Sequence, residues 1–370
     1  MRTLTVFGTR PEAIKMAPLV MRLSEDRDVD SVLCVTAQHR EMLDQALDLF
    51  DIRPDFDLGV MRENQTISGI TSSVLLGLDE VIRKTDPDVV LVHGDTTTTF
   101  ASALAAFYRQ KSIGHVEAGL RTFDKYSPYP EEMNRAMTGR LADLHFAPTE
   151  SNRRNLLGEG VPGEKIFVTG NTVIDALRHI AGKPCEFEDE TLRKIDFGGR
   201  RVITVTCHRR ENLGENMEGI FGAIKDIAGA FEDTEVVYPV HLNPKVRETA
   251  ERVLGDACRV HLIEPLPYRP FVKLMAESHL IITDSGGMQE EAPALGKPVL
   301  VVRRETERPE AVEAGTVKLA GTDRGGIFMM AETLLTDEGE YERMAKAVNP
   351  YGDGLAAERI VDILKRETMN

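Results

Sequence analysis

The chain has 370 residues, 42% of them hydrophobic and 28% charged, which is typical of a globular protein and exceeds the length at which one hydrophobic core usually stops growing. The formal net charge of −15 argues against a nucleic-acid partner or an acidic-membrane surface, so an anionic ligand needs a local basic pocket. The four cysteines show no CxxC spacing, so we expect reduced thiols in a cytoplasmic protein and no metal site. No run of about 18 apolar residues occurs, so we expect no membrane insertion. The length predicts two domains.

Short apolar runs typical of buried strands alternate with helix-like stretches along the chain. In the first half the strand-like runs are residues 4–7, 31–35, 89–92, 113–116 and 166–168, and helical patterns occupy 11–23, 41–50 and 68–84. In the second half strand-like runs recur at 202–205, 236–240, 260–263, 280–282, 299–302 and 317–319. This alternation predicts βαβ units and parallel sheets.

A polar, glycine-bearing passage at residues 182–200 interrupts the alternation and is typical of a segment that joins domains. We predict an α/β domain over 1–181 that carries the catalytic carboxylates, a linker over 182–200 and a second α/β domain over 201–349. Both are expected to be Rossmann-like doubly wound parallel sheets that face a cleft. Residues 350–370 are predicted to form a helix that packs back on the first domain, since the apolar residues there share one helix face.

The first strand is followed directly by Gly8-Thr9-Arg10-Pro11-Glu12. Thr9 is a candidate helix cap, and proline suits the first helical turn. Amide groups at that helix N-terminus, together with Arg10 and Lys15, would suit a phosphate or a sugar hydroxyl. By itself, the motif fits an ordinary strand-to-helix turn with surface charges equally well.

Carboxylates follow two further strands of the first domain. Asp95 ends the motif His-Gly-Asp after 89–92, Glu117 follows 113–116, and Glu131 stands at a predicted helix start. Any one of them could be a helix cap or an ion-pair partner. Three acids on one sheet edge nevertheless indicate a general base and a second carboxylate with a shifted pKa.

The first strand of the second domain ends in Cys207-His208-Arg209-Arg210. His208 can carry a proton near neutral pH, and arginines can bind phosphate oxygens. We disfavour a cysteine nucleophile, because adjacent residues of an extended chain point to opposite faces. His241 also ends a strand, where a lone histidine is more often a packing residue.

A glycine loop, Ser285-Gly286-Gly287, joins a strand to a helix predicted to begin near Met288. Such glycines let the backbone approach a pyrophosphate, and Glu291 could accept hydrogen bonds from ribose hydroxyls. A glycine turn with solvent-facing acids is the alternative. The charge-dense run 303–310 offers an arginine or a glutamate as a further ligand contact.

Dinucleotide cofactors are not expected. The passage Gly352-Asp353-Gly354 resembles a dinucleotide fingerprint, but no strand precedes it and too little chain follows for the required βαβ unit. GxxxxGK[ST] and HExxH motifs are both absent from the sequence.

Read together, long strings resemble the non-hydrolysing UDP-N-acetylglucosamine 2-epimerases over nearly the whole chain. They include GTRPEAIKMAPLV, TAQHREMLDQ, VLVHGDTTTTFASALAAFY, HVEAGLRT, YPEEMNR, HRRENLG, TDSGGMQEEAP and NPYGDG. The resemblance implies a glycosyltransferase-B-type fold, in which the second domain binds UDP. It also implies a homodimer that interconverts UDP-N-acetylglucosamine and UDP-N-acetylmannosamine for cell-surface polysaccharide precursors. The implied mechanism eliminates UDP to give 2-acetamidoglucal and re-adds it, without a cofactor.

The resemblance also implies roles for individual residues. Those matching catalytic positions are Asp95, Glu117, Glu131 and His208, with the step served by each acid left open. Those matching substrate-binding positions are Arg10, Lys15, Arg135, Phe271 in the turn 267–271, Ser285, Gly286, Gly287, Glu291 and Arg308. Those matching a regulatory site for a second UDP-N-acetylglucosamine molecule in bacterial members are Gln38, His39, Arg209 and His241.

The sequence is also compatible with two other classes of function. A retaining glycosyltransferase would share the fold and the UDP site but would need an acceptor groove and fewer strand-end carboxylates. A catalytically silent nucleotide-sugar sensor would keep the glycine turns and arginines, and would have no use for the three acids. Turnover of the nucleotide sugar without an acceptor distinguishes an epimerase from both.

Overall fold

The computed structural model describes residues 1–37, 40–60 and 66–368. Contacts divide the chain into two compact units. The first unit comprises Met1–His179 and Tyr351–Asn370, and the second comprises Ile180–Pro350. Within the described ranges, no helix is long and apolar enough to cross a membrane.

A parallel sheet forms the centre of the first unit. Its strands, as far as the chain is described, are β1 (Arg2–Phe7), β2 (Asp30–Val35), β3 (Phe56–Asp57), β4 (Val89–His93), β5 (Ser112–Val116), β6 (Leu144–Ala147) and β7 (Ile166–Val168). Their order is β3-β2-β1-β4-β5-β6-β7, and every pairing is parallel. The strand order reverses between β1 and β4, where ligands of open parallel sheets bind.

Helices follow most strands of this sheet and bury its apolar core. They are α1 (Arg10–Glu25), α2 (Arg40–Leu49), α3 (Ile67–Thr85), α4 (Thr97–Tyr108), α5 (Glu131–Leu141), α6 (Glu150–Gly158) and α7 (Thr172–Ala181). The run Val-Val-Leu-Val of β4 is fully buried, as expected for a central parallel strand. Leu4, Val90 and Val92 pack in one cluster with Leu78 of α3.

The second unit repeats this architecture around another parallel sheet. Its strands are β8 (Arg201–Thr206), β9 (Thr234–Pro239), β10 (Val260–Ile263), β11 (Leu280–Thr283), β12 (Val299–Val301) and β13 (Val317–Leu319). They are ordered β10-β9-β8-β11-β12-β13, so the strand order reverses between β8 and β11. The helices are α8 (Glu190–Lys194), α9 (Glu215–Ala230), α10 (Pro244–Leu254), α11 (Tyr268–Glu277), α12 (Met288–Ala294), α13 (Pro309–Glu313), α14 (Arg324–Thr336) and α15 (Glu338–Ala345).

Some elements differ from the sequence prediction. Strands β3 and β6 were not predicted, because β3 has only two residues and β6 carries a histidine within four residues. Phe271 lies inside α11, whereas the sequence analysis assigned it to a turn. Residues 182–200 contain α8, and Phe187 and Leu192 from this passage are buried in a cluster with Val202 of β8.

The C-terminal helix α16 (Ala356–Thr368) belongs to the first unit. The carboxylate of Asp175 in α7 accepts hydrogen bonds from the backbone N–H groups of Ala356 (3.3 Å) and Ala357 (2.8 Å). The first amide groups of a helix lack intrahelical acceptors, so Asp175 caps α16 from a distant part of the chain. The backbone N–H of Asn171 also donates to the carbonyl of Tyr351, at 2.7 Å.

Replacing Asp175 with alanine is expected to lower the free energy of unfolding of the first unit by about 1–2 kcal/mol, because two buried amide groups lose their acceptor. Urea denaturation followed by circular dichroism measures this change, and amide hydrogen exchange locates it. The matched control is Asp362→Ala, which removes an exposed carboxylate from α16 itself. The cap is contradicted if exchange in α16 is equally fast in both variants.

Candidate active site

The carboxylate of Glu12 joins the turns that follow β1 and β4. Its Oε2 atom accepts hydrogen bonds from the backbone N–H groups of Gly8 (3.0 Å) and Thr9 (2.8 Å). Its Oε1 atom accepts from the hydroxyls of Thr96 (2.7 Å) and Thr99 (3.1 Å). The predicted cap Thr9 is confirmed, whereas the role of Glu12 was not predicted, although Thr-x-x-Glu is the capping-box pattern.

Gly8 is required where β1 turns into α1. A Cβ atom at Gly8 would lie 2.1 Å from the Thr36 hydroxyl and 2.8 Å from the Thr98 hydroxyl. The turn can therefore approach its neighbours only without a side chain. Arg10, the first residue of α1, is half-buried, and its guanidinium has no hydrogen-bond partner among the described residues, so it can bind an anion.

Glu117, directly after β5, is held by two cationic or polar side chains. Its Oε2 atom lies 2.5 Å from Lys15 Nζ and 3.4 Å from His93 Nε2. Burial by itself would raise the pKa of Glu117, but Lys15 and His93 outweigh it and hold this pKa well below its usual range. Glu117 is therefore ionised at neutral pH. Its φ of 60° is also uncommon for a residue with a side chain.

Asp95 follows β4, and its pKa is displaced in the opposite direction from that of Glu117. An Arg135 nitrogen lies 2.6 Å from its Oδ2 atom, and the Asn134 amide donates to its backbone carbonyl at 3.0 Å. Burial raises the pKa of Asp95, Arg135 opposes this shift, and the Glu117 charge adds to it, so the pKa lies above its usual range. Neighbouring carboxylates with pKa values displaced in opposite directions are typical of acid–base chemistry.

The N-terminus of α5 carries two adjacent glutamates with different surroundings. Glu131 is half-buried, and its carboxylate has no hydrogen bond or ion pair within the described ranges. Glu132 is 4% exposed and accepts hydrogen bonds from the backbone N–H groups of Thr122 (3.1 Å) and Phe123 (3.0 Å). Glu132 was not predicted as a site residue, although an arginine three residues later is a local indication of an ion pair on the helix.

His115 supports the turn that carries Asp95. Its Nε2 atom lies 2.7 Å from the carbonyl oxygen of Gly94. Burial lowers the pKa of His115 to about 3, so the ring is neutral at pH 7 and donates to that carbonyl. His115 is therefore a structural residue of the turn.

In the second unit, the buried carboxylate of Asp284 joins the ends of β8 and β11. Its Oδ2 atom accepts hydrogen bonds from the backbone N–H groups of His208 (2.9 Å) and Arg209 (2.8 Å). The side-chain amide of Asn212 donates to the same atom at 3.0 Å. These bonds fix the turn that presents His208 and Arg209 at the point where the strand order reverses.

His208 stacks on His241, with ring centroids 5.1 Å apart. Burial lowers the pKa of His208, Asp284 opposes this shift, and His241 and Arg209 add to it. Burial also raises the pKa of the neighbouring Cys207 thiol well above its usual range, so this thiol is not a nucleophile. The candidate regulatory residues Gln38 and His39 lie outside the described residues.

The glycine loop after β11 has the features of an anion site. The helix predicted to begin near Met288 begins there. Among the described residues, the backbone N–H groups of Gly286 and Gly287 have no acceptor. The Tyr268 hydroxyl donates to Glu291 at 3.1 Å, which orients that carboxylate.

Two arginines of the run 303–310, Arg303 and Arg308, are paired with acids. The guanidinium of Arg308 binds the buried carboxylate of Glu290. Arg303 binds both carboxylate oxygens of Glu307, at 2.8 and 3.1 Å, and holds the pKa of Glu307 at about 2. These pairs fix the positions of the side chains next to the glycine loop.

Within each unit the structure brings several predicted site residues together. Asp95, Glu117, Lys15 and Arg135 form one network at the ends of β4 and β5. His208, Arg209 and His241 form another beside β8. In the part of the chain that the structure describes, no group of three or more His, Cys, Asp or Glu side chains is arranged to hold a metal ion.

Comparisons with known proteins agree with this architecture. A family profile described as UDP-N-acetylglucosamine 2-epimerase matches residues 21–365. The UDP-N-acetylglucosamine 2-epimerase of Bacillus subtilis is 60% identical over 364 residues, covering 98% of this chain and 95% of that protein. The enzyme of the same name from Escherichia coli strain K12 is 55% identical over 375 residues, covering 100% of both.

A solved structure gives the same result. The UDP-GlcNAc 2-epimerase from Neisseria meningitidis, bound to UDP-GlcNAc, has a TM-score of 0.86 and 50% identity, covering 99% of this chain and 100% of that one. The predicted fold class, two doubly wound sheets of the glycosyltransferase-B type, is confirmed. The chain belongs to the UDP-N-acetylglucosamine 2-epimerase family.

Proposed function

We propose that the chain is a non-hydrolysing isomerase that interconverts UDP-N-acetylglucosamine and UDP-N-acetylmannosamine by inverting C2 of the sugar. The names of its curated relatives support the reaction, and the Neisseria meningitidis protein binds one of the two nucleotide sugars. The observation that carries the proposal is the pair of strand-end carboxylates, Asp95 and Glu117, whose pKa values are displaced in opposite directions.

The C2–H bond is not acidic enough for direct removal of the proton, so breaking the anomeric C–O bond has to assist. In the forward step a base takes the C2 proton, the C–H electron pair forms a C1=C2 double bond, and the C1–O pair leaves with UDP. The products are 2-acetamidoglucal and UDP. In the reverse sense UDP oxygen attacks C1, and a proton reaches C2 from the opposite face. No oxidant, reductant or cofactor enters this balance.

Proton transfer on the two faces of C2 requires two groups. We assign one to Asp95, because a raised pKa lets a carboxyl group both take and return a proton. We assign the other to Glu131, whose half-buried carboxylate has no partner among the described residues. Glu117 stays ionised and would stabilise positive charge that develops at C1 as the bond to UDP lengthens.

The leaving group gains negative charge, which hydrogen-bond donors must stabilise. We assign this role to residues of the second unit. His208 and Arg209 are positioned by Asp284, and the amide groups of Gly286 and Gly287 lack acceptors in the described chain. The remaining substrate-binding assignments are Arg10, Lys15, Arg135, Phe271, Ser285, Glu291 and Arg308.

We also propose that a second UDP-N-acetylglucosamine molecule regulates the protein. Arg209 and His241 match bacterial members in which a second UDP-N-acetylglucosamine molecule regulates the enzyme. We further propose that the protein is a cytoplasmic homodimer that supplies cell-surface polysaccharide precursors. The resemblance of the whole sequence to the epimerase family supports this.

Incubation of the protein with UDP-N-acetylglucosamine alone in D₂O is expected to give UDP-N-acetylmannosamine with deuterium at C2, because the proton removed exchanges with solvent before one is returned. Proton NMR of the sugar follows the reaction. Release of UDP with a free sugar would instead indicate a hydrolysing enzyme. An unchanged spectrum would favour a glycosyltransferase or a sensor.

Replacing Asp95 with asparagine or Glu131 with glutamine is expected to lower kcat by about 10²–10⁴-fold with little change in KM, since each variant keeps the shape of the side chain and removes proton transfer. Steady-state kinetics measure the change. The matched control is Asp79→Asn, which removes a surface carboxylate of α3 that pairs with Arg109. A higher KM with an unchanged kcat would contradict the proposed roles.

The pH profile of kcat/KM is expected to fall on the acid side as Asp95 becomes protonated. Because its pKa lies above the usual value, this limb should lie above about pH 3.9. Replacing Glu117 with glutamine removes a neighbouring negative charge, which lowers the pKa of Asp95 and moves the limb to lower pH. Residual activity measured across pH tests this, and a limb that moves to higher pH would refute the assignment.

A further inference from the structure

Glu132 is a buried acid beside the proposed proton-transfer group. Its side chain is 5% exposed, and both of its oxygens accept backbone hydrogen bonds, from Thr122 and Phe123. A buried carboxylate is costly unless it is both hydrogen-bonded and paired with a cation. The nearby cation is Arg135, three residues later on α5, with a nitrogen 3.4 Å from Glu132 Oε2.

Arg135 contacts two carboxylates at once. Its side chain is 6% exposed, and one terminal nitrogen lies 2.6 Å from Asp95 while the other faces Glu132. Its Nε atom is buried without a hydrogen-bond partner among the described residues. Asp95 and Glu132 therefore fix the position of the guanidinium. The negative charge of Glu132 also weakens the electrostatic effect of Arg135 on Asp95.

We propose that Glu132 is a positioning residue that acts through Arg135 to set the charge on Asp95, an inference that rests on the proposed function. Glu132 holds one end of the guanidinium and partly neutralises it. Its backbone hydrogen bonds to Thr122 and Phe123 keep the carboxylate in place. The adjacent acids of α5 thus divide two tasks, with Glu131 free for chemistry and Glu132 committed to Arg135.

Among the residues that the structure describes, four charged or titratable groups act on Asp95 from the elements packed against it. They are Arg135 of α5, Glu117 after β5, Lys15 of α1 and His93 of β4. Lys15 and His93 both contact Glu117, and the negative charge of Glu117 balances the positive charge of Lys15. Arg135 is the direct contact of the Asp95 carboxylate, and a change at Glu132 reaches Asp95 mainly through it.

The test compares two charge-removing variants with opposite expected effects. Glu132→Gln keeps one of the two acceptor oxygens and removes the negative charge that partly neutralises Arg135. The full charge of Arg135 then acts on Asp95, so the acid limb of kcat/KM should move about one pH unit lower. Arg135→Gln removes the cation, so the limb should move higher. Glu132→Asp retains the charge and should restore the wild-type limb.

The matched control is Glu159→Gln, which removes a carboxylate from another buried guanidinium of the first unit, that of Arg121. A purely structural role predicts lower activity in Glu132→Gln with an unmoved limb, and that result would overturn the inference. Carbon-13 NMR titration of Asp95, assigned with Asp95→Asn, measures the same shift without turnover. A wild-type protein that does not epimerise would refute the proposed function. A shift of the Asp95 titration in Glu132→Gln would still support the action of Glu132 on Asp95 through Arg135.

Discussion

Both sheets depend on a buried carboxylate that joins two neighbouring strand ends at the point where the strand order reverses. In the first unit Glu12 accepts hydrogen bonds from the turn after β1 and from the threonines after β4. In the second unit Asp284, after β11, accepts three hydrogen bonds from residues that follow β8, which are His208, Arg209 and Asn212. Each acid satisfies backbone donors that the ends of parallel strands leave open, and so fixes the turns that carry Asp95 and His208.

Fixed turns allow charges to be placed accurately in a chain whose overall charge is strongly negative. Lys15 pairs with Glu117, Arg135 with Asp95, and Arg308 with Glu290. Because each acid lies at a defined distance from its cation, two carboxylates of one network can have pKa values displaced in opposite directions. Burial acts to raise the pKa of both acids, so the local arrangement of cations, rather than the net charge, decides which pKa falls below its usual range.

Features that depend on local sequence could be predicted, and features that depend on distant residues could not. The apolar runs identified the central strands, and local patterns located the cap Thr9 and the start of α12. The strand β6 was not predicted because His145 interrupts its short apolar run. The pairing of Lys15 with Glu117 joins residues 102 positions apart, and that of His208 with Asp284 joins residues 76 apart, so neither leaves a local pattern.

The adjacent acids of α5 show where sequence reasoning stops. Successive helical residues are rotated by about 100°, so Glu131 and Glu132 cannot face the same surroundings. Resemblance singles out Glu131, but the dipeptide alone does not tell which acid is buried. The buried one is Glu132, since two backbone donors and Arg135 compensate its charge there. The two acids that begin this helix therefore have different environments, and the cation that pairs with the buried one also contacts Asp95.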